Sequence, residues 1–238
     1  MNEQINAELF LKNRILAALQ PAAIVFFSEH SEVRDMNLGD VIFEDGASVT
    51  HVVFPHEGVI SIIAEMESGR SVEKSSIGSE GMLGFSVIMG GGASLGKSVV
   101  QIAGTASWLS IANLDVALER FHCVRDIMLR YAKSHIAQLM ESVACNSLHT
   151  AEQRVSRWLL HAHDRMNGDS FYITQESIAR LLALRRATVN AICNNLMDCG
   201  AIAYQRGKLT VTNRAILHDR TCECYDRICN TALPVIAR

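Results

Sequence analysis

The apolar positions of this chain change period several times. Residues 8–19 (ELFLKNRILAAL) repeat at helical spacing and predict an amphipathic helix. From about Ile24 to Ala112 the texture becomes short alternating runs punctuated by glycine: VIFEDG (41–46), HVVFPHEGVISIIAEMESGR (51–70), SVEKSSIGSEG (71–81) and SVVQIAGTASWLSIA (98–112). Such runs predict antiparallel strands in a sandwich or barrel, with hairpin turns at Asp45-Gly46 and Ser68-Gly69. From about Cys123 to Ser147 the spacing returns to three and four, through Ile127, Met128, Tyr131, Ile136, Leu139, Met140 and Val143, with one gap of five. That is a seam rather than a broad face, which suits helix pairing between two protomers. Ile127, Tyr131, Leu139 and Val143 are assigned to it. Asn146–His149 breaks the pattern, and Thr150-Ala-Glu-Gln153 forms a capping box that opens a helix over 151–166. The break is the expected hinge.

Ile173–Leu196 reads as two short helices joined by a tight turn. The first, about Thr174–Leu182, buries Ile178, Leu181 and Leu182. The second, about Arg186–Asp198, buries Val189, Ile192 and Leu196. Ala179 lets the two helices cross closely and Leu184 plugs the turn, as a helix-turn-helix requires. Arg185 and Arg186 stand at a helix N-terminus, where the macrodipole is already positive. They need an anion, and DNA phosphate or a guanine edge supplies one. Beyond this pair, Ala201–Val211 predicts a hairpin with strands about Ile202–Gln205 and Leu209–Thr212. Its tip, Arg206-Gly207-Lys208, carries two cations and reads as a phosphate-touching wing.

Charge sharpens the picture. The net charge of −3 conceals 10 Lys/Arg against 6 Asp/Glu over residues 151–220, and 10 against 17 over residues 1–150. The basic C-terminal module is therefore the part that meets a polyanion. No apolar run reaches the ~18–20 residues that span a bilayer, so no membrane partner is expected and the chain is read as cytoplasmic. The seven cysteines are read as reduced thiols. Cys123, Cys145, Cys193 and Cys199 fall in helical segments as small core residues. Cys222, Cys224 and Cys229 form the one cluster, without a CxxC spacing or an evident fourth ligand, so neither metal nor cofactor is expected. No nucleophile–base pair or P-loop is visible, and an enzyme is not expected.

The order of barrel, long helix, capped helix, helix-turn-helix and wing resembles the Crp/Fnr superfamily of bacterial transcription regulators, over roughly residues 8–225. LGDVIFEDG (38–46), Pro55-x-x-Gly58-Val59-x-Ser61, SSIGSEGMLG (75–84) and ITQESIARLLALRRATV (173–189) carry the resemblance, and CECY (222–225) resembles an effector-unassigned branch. It implies an α+β chain divided into a cyclic-nucleotide-binding-like β-roll (1–122), a dimerisation helix and hinge (123–149), a winged helix-turn-helix domain (150–220) and a tail (221–238).

In cyclic-AMP-binding members, a Gly-Glu pair and an Arg-Ser/Thr-Ala segment hold the nucleotide. Here Gly81 or Gly84 matches the glycine, putting Met82 or Phe85 at the glutamate, and Gly96 or Lys97 at the arginine, followed by Ser98. Gly81, Met82, Gly84, Phe85, Lys97 and Ser98 are thus the candidate pocket for an unidentified small-molecule effector, and cyclic AMP is not expected. The N-terminal iron–sulfur cysteines of oxygen-sensing members are absent, since residues 1–122 hold no cysteine. His51, His56 and His122 are read as exposed rather than haem ligands.

At the DNA end, Arg186 matches the guanine-reading arginine, whereas the usual glutamate and second arginine are Ala187 and Ala191. Asn190 is assigned to adenine or backbone, and Thr188 and Gln175 to phosphate. Ala183 occupies the glycine position of the turn, at a cost of ~1–2 kcal/mol if left-handed. The partners implied are double-stranded DNA, a second copy of the chain and, for an activator, RNA polymerase. A helix-turn-helix that contacts protein instead of DNA is the alternative reading.

Overall fold

The computed structural model describes residues 9–232. The alternating segment forms β1 (Ser31–Met36), β2 (Val41–Phe43), β3 (His51–Glu65), β4 (Ser71–Ile77) and β5 (Lys97–Ser110). All pairs are antiparallel, in the order β1-β5-β3-β4, with β2 also on β5. The β3–β5 register shifts at Pro55/Glu57 and Glu57/Val59. These bulges bend both strands around the core, and a Cβ on Gly104 would run into the Glu57 backbone there. Ser68-Gly69 turns β3 into β4, as expected, with Gly69 at φ 76°. Asp45-Gly46 also turns, yet it closes no hairpin, because β2 pairs with β5 instead of β3.

The helices around the roll depart from the sequence reading. Residues 8–19 are not one helix, and residue 8 lies outside the described residues. The chain breaks at Asn13, which is wholly buried and donates from Nδ2 to the Pro55 and Gly81 carbonyls, both at 2.9 Å. Its Oδ1 caps the short α1 (Arg14–Ala17). The strand texture does not begin at Ile24. Pro21–His30 is α2, opened by a proline whose fixed φ suits a first turn. Ala23, Phe26 and Phe27 of α2 turn inward at helical spacing. A 3₁₀ turn spans Phe85–Met89, and α3 (Ile111–Arg120) follows β5.

The long helix is α4 (His122–Leu148), 27 residues or about 40 Å. It runs on through Asn146, so the break narrows to His149 and Thr150, whose ψ values are 152° and 160°. The capping box is present at the start of α5 (Ala151–Asp164), with Thr150 Oγ1 accepting from Gln153 N at 3.3 Å and Gln153 Oε1 accepting from Thr150 N at 3.0 Å. Next come β6 (Ser170–Tyr172), α6 (Gln175–Leu181), α7 (Arg186–Asp198), β7 (Ile202–Gln205), β8 (Lys208–Val211) and α8 (Arg214–Asp219). Residues 224–232, expected as tail, are α9, which packs on α4: Ser134 Oγ donates to the Thr231 carbonyl at 2.8 Å, and Arg227 pairs with Glu141 at 3.2 Å. Among the described residues no helix is long and apolar enough to cross a membrane.

The C-terminal module is docked on the roll through polar side chains. Arg165, just beyond α5, donates from Nε and Nη2 to the two carboxylate oxygens of Glu80 at 3.1 and 2.7 Å, and from Nη1 to Ser76 Oγ at 2.8 Å. Gly78 leaves room for it, since a Cβ there would collide with the Arg165 side chain. Trp158 Nε1 donates to Glu73 at 2.9 Å. Burial pushes Glu80 upward, but the Arg165 charge outweighs it and holds the carboxyl below its ordinary value. A depressed carboxyl contributes stability above its unfolded pKa and loses it as pH falls through the folded one. Arg165→Met leaves that carboxylate unpaired and is expected to cost about 3–5 kcal/mol near neutral pH. Denaturant melts should show the gap from wild type shrinking below the ordinary carboxylate range; a small, pH-independent difference would contradict the pairing.

Candidate nucleic-acid interface

The two helices at 175–198 meet as their apolar spacing dictates. Ile178, Leu181, Leu182, Val189, Ile192 and Leu196 are all buried, and Ala179 sits at the crossing. Thr174 caps α6 by accepting from Ser177 N at 3.0 Å. Ala183 is left-handed at φ 51°, the strained position expected of the turn. Leu184 N then bonds the Ala179 carbonyl at 2.8 Å, and the Leu184 side chain packs on the module core.

This turn delivers Arg185 to the N-cap of α7 and Arg186 to its first residue. Arg185 makes no capping bond. Arg186 is 73% exposed, and its Nε lies 3.9 Å from Glu176 across solvent, a contact of little energetic weight. Asn190 is exposed one turn later and accepts from Asn194 Nδ2 at 3.0 Å. Ala187 and Ala191 are exposed beside it. Thr188 and Gln175 are half-buried near the starts of α7 and α6. In the wing, the loop is two residues rather than three. Arg206 and Gly207 both have positive φ, 52° and 81°, which fits the type I′ turn of a tight hairpin. Arg206 and Lys208 project exposed at its tip, and Tyr204 donates to the Ile173 carbonyl at 2.7 Å, tying the wing to the segment that leads into α6.

Of the six candidate effector residues, Gly84 and Phe85 share one small void among the described residues, and the other four lie apart from it. Met82 and Phe85 are buried in the apolar core that joins the roll to α4. Gly81 packs against the Tyr131 ring so closely that a Cβ would collide with it. The void beside Gly84 is about 10 Å³, walled by Phe43, Val49, Ile62 and Leu83. Ligand pockets are of order 300–1,000 Å³. Lys97 points to Glu44 and Glu65, at 3.6 and 3.9 Å, while Ser98 is wholly buried. His56, read as exposed, is 2% exposed and bonds Ser107 Oγ at 2.7 Å. Burial pushes its pKa down to about 4, so it stays neutral in the core.

The pairing seam on α4 is also corrected. Ile127 and Tyr131 are 7% and 2% exposed because they pack inside their own protomer, against the roll, and Leu139 is half-buried at the cleft facing α5. Only Val143 of the four assigned residues is exposed. It continues a second stripe with Leu129, Ile136 and Met140, whose spacing of seven, four and three is that of a heptad. The helix carries two apolar faces, and the intramolecular one dominates the periodicity.

A search of curated protein sequences finds no match. Residues 153–220 match the profile of the Crp-like helix-turn-helix domain. Among solved structures, FixK2 from Bradyrhizobium japonicum superposes with a TM-score of 0.68 at 15% identity, covering 81% of this chain and 98% of that one. A CRP-family transcriptional regulator from Thermus thermophilus gives 0.64 at 18% identity, with coverages of 79% and 95%. The c-di-GMP-responsive global regulator CLP of Xanthomonas campestris gives 0.60 at 15%, with 82% and 100%. At these identities the likeness is one of fold. Residues 153–220 thus form a Crp-like helix-turn-helix domain, and most of the chain shares the fold of these regulators.

Proposed function

We propose that the protein is a sequence-specific DNA-binding transcription regulator that acts in the cytoplasm as a homodimer on a two-fold operator. The observation that carries this reading is the uncapped, exposed Arg185–Arg186 pair at the N-terminus of α7. That is where a recognition helix meets base edges. Arg186 reads a guanine, Asn190 an adjacent base or phosphate, and Arg185, Thr188, Gln175, Arg206 and Lys208 hold the backbone. Two protomers join along Leu129, Ile136, Met140 and Val143, which sets the recognition helices about one DNA turn (~34–36 Å) apart. The small void beside Gly84, about 10 Å³, supports an effector other than cyclic AMP.

The wing supplies a test that does not require the operator. Lys208→Ala is expected to weaken binding to all duplexes alike and to reduce the salt slope by about one. Anisotropy titrations of random-sequence DNA over a salt series would show this; an unchanged slope would remove Lys208 from the interface.

A further inference from the structure

The sequence places Cys222 and Cys224 close together without further ligands. The fold brings the rest from far upstream. Cys145 and His149 lie four residues apart at the end of α4, one helical turn. They face the segment between α8 and α9, so that Cys145, His149, Cys222 and Cys224 hold four ligand atoms within 4.8 Å of one another. Cys145 Sγ stands 3.6 Å from Cys222 Sγ, and Cys224 Sγ 3.5 Å from His149 Nδ1. A zinc ion with bonds of ~2.3 Å to sulfur and ~2.0–2.1 Å to nitrogen sets tetrahedral ligand atoms about 3.5–3.8 Å apart. Those two separations match one ion, and the remaining pairs lie within 4.8 Å.

The surroundings point the same way. His149 turns its other nitrogen, Nε2, to Glu223 at 3.3 Å, the carboxylate partner that orients a ligating imidazole. The three cysteines are buried and the histidine partly so, which excludes a water-filled fourth position. Arg157 is 8% exposed, its Nε finds no acceptor among the described residues, and its charge acts on Cys145. Three thiolates and a neutral imidazole around Zn²⁺ carry one net negative charge, which answers that buried cation.

The geometry points to a structural zinc site formed by Cys145, His149, Cys222 and Cys224. Binding replaces three thiol protons with four metal–ligand bonds, and the protons leave to solvent. No electron is transferred. The site clamps the hinge at His149–Thr150 to the strand of chain leaving the winged-helix domain, so it fixes where α7 sits relative to α4. Cys229 lies outside this ligand set, beside His161 and Asp164.

The test uses the full chain, purified without a histidine tag under reducing conditions. Elemental analysis should give one zinc per protomer. After exchange with Co²⁺ the protein should show thiolate charge-transfer absorption and the intense visible bands of tetrahedral cobalt. Cys222→Ser and Cys224→Ser should abolish both signals, whereas Cys229→Ser should keep them. If the serine variants fail to fold, the wild-type stoichiometry and cobalt spectrum decide alone. Absence of bound metal, an octahedral cobalt spectrum, or a Cys145–Cys222 disulfide in the native protein would overturn the assignment.

Discussion

Replacing Met140 and Val143 together by glutamate is expected to leave a folded monomer that no longer holds its operator. Both side chains are about two-thirds exposed in the single protomer, at 70% and 68%, so its own core loses nothing. In the proposed dimer they sit at adjacent seam positions with Ile136 and Leu129, where four carboxylates would be desolvated against one another. A dimer binds its second half-site at the high effective concentration set by the first contact, a gain of roughly 10²–10⁴ in affinity. The monomer forfeits it. Sedimentation velocity should report half the wild-type mass, and anisotropy a matching loss on the operator. A variant that stays dimeric would move the interface elsewhere.

Arg186→Ala is expected to cost about 1–3 kcal/mol for each half-site contact and to relax selection at one base pair. The substitution suits a helix start at least as well as arginine does, because the N-terminal dipole disfavours a cation. Folding is therefore spared and the loss falls on binding. The effect should be large on the cognate operator and small on random duplex, which separates base reading from phosphate attraction. Ala187 and Ala191 provide no hydrogen bonds to share the load. Equal affinity of mutant and wild type for the operator would refute the assigned role.

The sequence reading was most accurate where one local pattern had one cause. The boundaries of α7, the burial of Val189, Ile192 and Leu196 and the capping box at Thr150 all follow from short-range rules. It failed where distant contacts compete with periodicity. Asn13 interrupts an amphipathic segment because it is needed by carbonyls at 55 and 81. Ile127 and Tyr131 fit a pairing seam, yet they fill their own protomer's core. The cysteine cluster lacked its partners on paper because those partners lie 77 and 75 residues upstream. The Cys-x-x-x-His spacing at the end of α4 was the signal available. The docking of Arg165 on Glu80, 85 residues apart, had no local signature at all.

The most direct measurement is selection of bound duplexes from a random DNA library by the purified full-length protein, in parallel with Arg186→Ala. The expected result is a palindrome with half-sites about 10–10.5 base pairs apart, centre to centre. A guanine in each half should be enriched by the wild type and lose its enrichment with the variant. Recovery of no motif, or of the same palindrome and guanine by both proteins, would contradict DNA reading through α7.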